Sequence, residues 1–325
     1  MPRGSLLIGD LGGTNARFAL AQPDGPGYRD ELSLECRAHA SAERAIEAYL
    51  EQVGAPPPTA ICLAVAGPID ADRIRFLNSN WNLDAARLRI RFQGARIRLV
   101  NDFQAIAHAI PMLRPEDLLP VGRLRPRLPE TGDFTAAVLG PGTGLGVSGL
   151  IRAGGKTHAL SSEGGHHGFA PETPLQIRVL EQLRERFERV SDERLLSGPG
   201  IENIYRALQA ISGIAAVERE AADIFRRATD GSDELASQTE RLFFEVLGQV
   251  AGNLALTLGA REGVYVAGGI IRRYPGRIGA GPFRSGFENK GRHRALMEAI
   301  PTCLITHPQP GLLGASQLVR TDRAA

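Results

Sequence analysis

The sequence predicts an α/β protein of two similar lobes, and three observations carry that expectation. Two glycine-rich turns each sit between β-type runs, LLIGDLGGTNARFAL and AAVLGPGTGLGVSGLI. They lie about 130 residues apart, the mark of a repeated unit. After each hairpin come short, continuous apolar runs, ICLAVAG in the first half and GVYVAGG in the second, separated by helical stretches. Runs of that kind are buried on both faces, as in parallel sheets with crossover helices. Hairpin followed by crossover, once per half, argues for two α/β lobes with a cleft between them.

The elements follow in order. Leu6 to Gly9 and Ala16 to Leu20 read as the strands of the first hairpin, and Glu31 to Cys36 as a third strand. Ala42 to Gln52 has helical spacing, and Pro56 to Pro58 break the chain before ICLAVAG. Asp84 is placed to cap a helix running to about Phe92. RIRLVNDF reads as a strand ending at Asn101 and Asp102, with a helix from Phe103 to Ile110. The proline-rich stretch from Arg114 to Asp133 shows little periodicity and reads as the crossing into the second domain. There the second hairpin is followed by a strand near Lys156 to Leu160 and by helices at Leu175–Glu188, Ile201–Ala210 and Glu234–Leu258. GVYVAGGI reads as a strand entering a turn and helix. Cys303 to Thr306 reads as the last strand, before a terminal helix with Pro310 in its first turn.

Bulk composition narrows the function. With 43% hydrophobic and 23% charged residues, the 325-residue chain is that of an ordinary globular protein. A formal charge of +2 sets up no general attraction to nucleic acid or a membrane surface. The arginines at 87, 89, 91, 96 and 98 alternate with Leu88, Ile90 and Phe92, so the apolar set is expected to face a core and the arginines solvent. The three cysteines, Cys36, Cys62 and Cys303, fit neither a disulfide framework nor a metal cluster, which points to a reducing cytosol. The N-terminal apolar run is too short for a signal peptide, and no uncharged apolar stretch is long enough for a membrane span.

Candidate chemistry gathers at the turns. Glycine lets backbone amides approach an anion, and threonine adds a hydroxyl donor. Asp10 in the first turn would repel a phosphate unless a cation such as magnesium intervenes; its other reading is a hairpin residue that tolerates unusual backbone angles. There is no Walker sequence. Gly144, Gly146 and Gly149 match GxGxxG only formally, because a strand end follows them instead of a helix. Asp102 reads both as a helix N-cap and as an ionised carboxylate able to accept a proton from an alcohol attacking phosphorus. Glu163, His166 and His167 surround two glycines in SSEGGHHGFAP, where they either bond a polyol or pack a loop. A zinc site there lacks further ligands. Glu193 is open between site and surface helix. Gly268 and Gly269 either admit an adenine ring or allow a tight turn.

Taken together, GDLGGTNAR, VNDF, GPGTGLGV, EGGHHGF, ERLLSGPG, VAGGI, GFENKGR and PGLLGA resemble the bacterial ATP-dependent glucokinases, over almost the whole chain. That family lies in the hexokinase, heat-shock chaperone and actin superfamily. The resemblance implies a two-lobed actin-like (ribonuclease H-like) ATPase fold with a central cleft. Residues 1–112 with 307–325 would form the smaller domain and residues 113–306 the larger. It implies ATP on a first loop of Gly9, Asp10, Leu11, Gly12, Gly13 and Thr14, on a second of Gly142, Thr143 and Gly144, and at Gly268 and Gly269 near the adenosine. Asp10 would hold magnesium through water. Glucose would be bound by Asn101, Asp102, Glu163, His166 and Glu193, with Asp102 as general base on the 6-hydroxyl. His167 has no role in the motif. The cysteine-rich zinc motif of the ROK branch of sugar kinases is absent, so no zinc is expected. A cytoplasmic, glycolytic homodimer without nucleic-acid or membrane partners completes the expectation. A sugar-responsive repressor would need a DNA-binding module ahead of Gly9, where eight residues leave no room for one. A nucleotide-dependent chaperone would not need the EGGHH segment.

Overall fold

Five strands from the first part of the chain form one sheet and six from the rest form another. The structure, a computed structural model, describes residues 4–67, 69, 73–75, 81–126, 128, 131–279 and 281–321. The chain divides into two units: residues up to Pro115 with His158–Ser161 and those from His307 onward, and Glu116–Thr157 with Ser162–Thr306.

The first unit contains β1 (Ser5–Leu11), β2 (Asn15–Ala21), β3 (Tyr28–Glu35), α1 (Ala42–Gln52), β4 (Pro58–Val65), β5 (Arg73–Arg75), β6 (Asn82–Asp84), α2 (Ala85–Arg91), β7 (Arg96–Asn101) and α3 (Asp102–Ala109). Its sheet runs β3-β2-β1-β4-β7. The continuous apolar runs exist because both faces are covered. Leu7, Ile61 and Leu63 meet Ile46 and Tyr49 of α1 and Leu88 of α2 on one face. On the other face Leu6, Ile8, Cys62 and Ala64 meet Ala105 of α3 and residues of the terminal helix. Alternate residues of a strand point to opposite faces, so each strand serves two cores.

The remaining elements are β8 (Leu118–Val121), β9 (Phe134–Pro141), β10 (Leu145–Ala153), β11 (Lys156–Ala159), α4 (Pro174–Arg184), α5 (Gly198–Ile211), α6 (Ala221–Asp230), α7 (Glu234–Leu258), β12 (Val264–Val266), α8 (Gly269–Arg273), α9 (Pro275–Ile278), α10 (Pro282–Glu288), α11 (Arg294–Glu298), β13 (Thr302–Ile305) and α12 (Pro310–Thr321). Their sheet runs β11-β10-β9-β12-β13-β8. In both sheets an antiparallel hairpin pair, β1–β2 or β9–β10, is extended by two parallel neighbours, β4 and β7 or β12 and β13. The repeat expected from the two glycine turns is therefore a repeat of sheet topology.

Some expectations need correction. The stretch from Arg114 to Asp133 is not featureless: β8 lies within it and pairs antiparallel with β13 as an edge strand, which is where Pro120 can be accommodated. Residues 127, 129 and 130 of that stretch lie outside the described residues. In the arginine run, Leu88 and Phe92 are buried as expected, but Ile90 is 81% exposed, because α2 turns it away from the core that Leu88 enters. Four short helices between Gly269 and Glu298 exceed the single helix start read there.

The terminal helix belongs with the first unit. Gly314 of α12 sits where an added Cβ would lie 1.7 Å from the Ala105 carbonyl oxygen of α3. Gly314→Ala must therefore force the two helices apart. A loss of about 1–3 kcal/mol of stability is expected from such overpacking, read as a lower urea midpoint; an unchanged midpoint would refute this account of the contact.

Candidate active site

In the first unit the site residues stand at the carboxyl ends of parallel strands, where α/β sheets place ligands. Asp10 of β1 is in register with Ala64 of β4, and Asn101 of β7 with Val65. Asp10 and Asn101 thus stand two strands apart, about 10 Å at ordinary strand spacing. Gly12 and Gly13 are half-buried and Thr14 is exposed in the hairpin turn, which closes through Gly12 N donating to Asn15 O at 3.0 Å. Gly9 and Leu11 lie deeper. Both are buried, and a Cβ at Gly9 would meet the side chains of Leu63 and Leu11 at 2.7 and 2.8 Å. Gly9 therefore makes room for packing beneath the turn.

Asn101, not Asp102, caps α3. Its Oδ1 accepts from Phe103 N at 2.9 Å and from Gln104 N at 3.3 Å. Asp102 is the first helical residue and accepts from Phe103 N at 2.9 Å. The expected capping role passes to its neighbour because Asn101 has the extended backbone that a cap requires. An acid in the first turn is also favoured by the helix dipole.

Asp10 is half-buried, and desolvation pushes its carboxyl above the usual range, opposed by Arg17 and reinforced by Glu31. Among the described residues its carboxylate accepts no hydrogen bond. Gly311, in the first turn of α12, lies against it, with an added Cβ falling 3.3 Å from Cγ. An acceptor-only group short of donors and held at a strand end suits a hydrated divalent cation. Among the described residues no cluster of three or more His, Cys, Asp and Glu side chains could hold a metal by itself.

In the second unit four turns gather around the start of β10. The turn Gly142–Gly144 closes through Gly142 N donating to Gly144 O at 2.8 Å, and Gly142 O accepts from Gly198 N at 2.9 Å. Glu193 lies on a short 3-10 turn, Asp192–Arg194, and its Oε2 accepts from Leu145 N at 2.9 Å. Its surface-helix reading therefore fails: the carboxylate is docked on the glycine turn, where a Cβ at Gly144 would lie 2.4 Å from Oε2. Glu163 and His166 are exposed on either side of the 3-10 turn Gly164–His166. That turn rests on β10, because a Cβ at Gly165 would fall 2.0 Å from Leu145 O. Arg189 Nη1 donates to His166 O at 2.8 Å, and Asp192 N donates to His167 O at 2.9 Å. Gly268 caps α8 with φ 102°, and its absent Cβ would lie 2.3 Å from Pro141 O. Gly269 is exposed beside it.

Comparison with known proteins agrees with this arrangement of motifs. A family model described as glucokinase matches residues 7–322. The chain belongs to the glucokinase family. It is 44% identical to a glucokinase of Paramagnetospirillum magneticum, over 98% of this chain and 99% of that one. A glucokinase of Caulobacter vibrioides is 43% identical over 98% of this chain and 96% of its own. The crystal structure of a glucokinase from an Antarctic psychrotroph superposes with a TM-score of 0.87 at 33% identity, covering 97% of this chain and 98% of that one. The fold is the two-lobed α/β, actin-like ATPase type of these glucokinases, and the chain is an ATP-dependent glucose kinase by family.

Three residues around the candidate site were not picked out from the sequence. Gly311 leaves space beside Asp10, and Gly198 holds the Gly142 turn. The signal for both is a glycine next to a proline at a helix start, which also reads as simple helix initiation. Asp192 is the third. Burial pushes its carboxyl up to about 7, with Arg189 pulling it back. A carboxyl that holds its proton more tightly folded than unfolded makes the folded state the larger proton binder between about pH 4 and 7. Stability should therefore fall as pH rises through that window and level off above it. Asp192→Asn is expected to flatten the decline and to be the more stable protein at pH 8, by a few kcal/mol at most. Thermal melts of both proteins from pH 4.5 to 8 test this; parallel curves would reject it.

Among the described residues no helix is long and apolar enough to cross a membrane, and all three cysteines are buried.

Proposed function

We propose that the chain transfers the γ-phosphoryl group of ATP to the 6-hydroxyl of D-glucose, giving glucose 6-phosphate and ADP, with Asp102 as the general base. The observation that carries the assignment is the division of labour at the end of β7. Asn101 satisfies the helix start, so the Asp102 carboxylate is not needed as the cap. In the reaction the sugar oxygen forms a bond to the γ-phosphorus, and the bridging bond to the β-phosphate breaks toward ADP. The hydroxyl proton passes to Asp102, mostly late in the transfer. Asn101, Glu163, His166 and Glu193 bind the sugar hydroxyls. Glu193, fixed by Leu145 N, ties sugar binding to the turn that takes phosphate.

At the first turn the Gly13 amide and the Thr14 hydroxyl are offered to phosphate and Gly12 lets it approach the backbone, with Gly142, Thr143 and Gly144 forming the second turn. Gly268 and Gly269 leave space for the adenosine. Asp10 would hold magnesium through water, and the ion would supply charge neutralisation on the phosphates. The same reading takes the protein as a cytoplasmic homodimer that supplies glycolysis and needs no zinc.

A coupled ADP-release assay over a panel of hexoses, with and without magnesium, tests the reading. Release should require glucose and stop on chelation. Release independent of any sugar would indicate a simple nucleotidase and overturn it.

A further inference from the structure

Ser197 has no part in the kinase reading above, yet it stands between two groups that do. It is 3% exposed, and its extended backbone makes it the N-cap of α5. Its Oγ accepts from Gly200 N at 3.0 Å, the ordinary duty of a cap. The same hydroxyl donates to Glu193 O at 2.8 Å, which capping does not require. A serine hydroxyl has one proton to donate, and here it is committed to Glu193.

The segment from Glu193 to Gly198 grips the Gly142–Gly144 turn at both of its ends. At one end Glu193 Oε2 accepts from Leu145 N at 2.9 Å. At the other Gly198 N donates to Gly142 O at 2.9 Å. The bond from Ser197 to Glu193 O braces these two grips against each other. The first turn of α5 also lies directly on the segment, because a Cβ at Gly200 would fall 2.4 Å from the Leu195 carbonyl carbon. Without the hydroxyl, Glu193 O and Gly200 N each lose a partner inside the fold, which is costlier than never having had one.

We propose that Ser197 is a positioning residue for both substrates at once. Through Glu193 O it fixes the residue whose carboxylate takes the sugar. Through the adjoining Gly198 it fixes the Gly142 end of the turn that takes phosphate. The inference rests on those two assignments of the kinase reading. Its consequence is specific. A side chain that touches one substrate changes one affinity, whereas this brace must change both. It touches no reacting atom, so its loss should weaken binding and leave the chemical step in place.

Glycine is nearly as good a cap as serine, whereas alanine is a poor one. Ser197→Gly therefore removes the brace and keeps the cap, and Ser197→Ala removes both. Thr173→Ala is the control, because Thr173 caps α4 in the same unit by accepting from Gln176 N at 3.3 Å. Isothermal titration uses glucose and, separately, magnesium with AMPPNP, a non-hydrolysable ATP analogue. Each Ser197 variant should lose about tenfold for both ligands, the worth of one hydrogen bond. Thermal melts should place Ser197→Ala below Ser197→Gly, although their affinities fall alike; a serine that served stability alone would make affinity follow the melts. Thr173→Ala should lose stability and keep both affinities. In steady-state assays of Ser197→Gly, KM should rise for both substrates with kcat near wild type. Wild-type affinities in Ser197→Gly, a loss for one ligand only, or an equal loss in Thr173→Ala would each overturn the proposal while the kinase reading stands. Failure of the wild-type protein to bind glucose or the analogue strikes the kinase reading, and the proposal falls with it.

Discussion

Asp102→Asn is expected to lower glucose-dependent turnover by about 10²–10⁴-fold, the usual contribution of a positioned general base. Stability and glucose affinity should change little. The substitution keeps the shape of the side chain, and the cap of α3 belongs to Asn101. The contrast is Asn101→Ala, which removes the cap and should cost about 1 kcal/mol of stability. Steady-state kinetics with thermal melts on both variants separates the two roles. Turnover of Asp102→Asn within a few-fold of wild type would sink the assignment of the base, whatever the fold does.

Gly165→Ala should have the second large effect, through position and not through lost chemistry. Its added Cβ would lie 2.0 Å from the Leu145 carbonyl oxygen and 2.9 Å from Leu145 Cβ. Backbone on both sides must shift. The same residue, Leu145, anchors Glu193 through its amide. One methyl group therefore displaces the turn bearing Glu163 and His166 and also disturbs Glu193. Misplacement of binding groups by about 1 Å can cost about 10²-fold, so kcat/KM for glucose should fall by that order. The stability loss should stay within about 1–3 kcal/mol. A kcat/KM near wild type would mean that the turn does not hold the sugar.

Both expectations depend on contacts between segments distant in sequence, and that marks how much the sequence shows. The hairpins are legible because a glycine-rich turn between two β-type runs is a local pattern. The α1 and α7 ranges, Ala42–Gln52 and Glu234–Leu258, match their expected spans because long amphipathic periodicity and caps are also local. The edge strand β8 was not legible. Its four residues have no periodicity of their own and become a strand only by pairing with β13. The short helices α9 to α11 fall below the length at which a repeat of 3.6 residues can be recognised.

The candidate site divides in the same way. Residue types and their order were enough to place the chain in its family, since the motifs carry glycines, an acid at a strand end and a polar turn in sequence. Which residue of Asn101–Asp102 is the N-cap of α3 depends on the backbone angle at one position. The residues alone leave Glu193 open between site and surface helix, because a lone Glu in an ERLL segment carries no distinguishing signal. Only the arrival of β10 beside it supplies the Leu145 amide that fixes its carboxylate.

The sequence by itself determined that this protein has two glycine-turn hairpins, an Asp in the first of them, an Asn–Asp pair at a strand end and a Glu-Gly-Gly-His-His turn. These are local patterns, and the family they identify follows from their order. The tertiary structure alone decided that the two hairpins head sheets of matched topology, that Gly311 rather than a side chain stands against Asp10, and that Gly165 and Glu193 meet at Leu145. Those facts are close approaches of backbone to backbone across long separations. They depend on the absence of a Cβ, and a glycine in a sequence does not say what it is making room for.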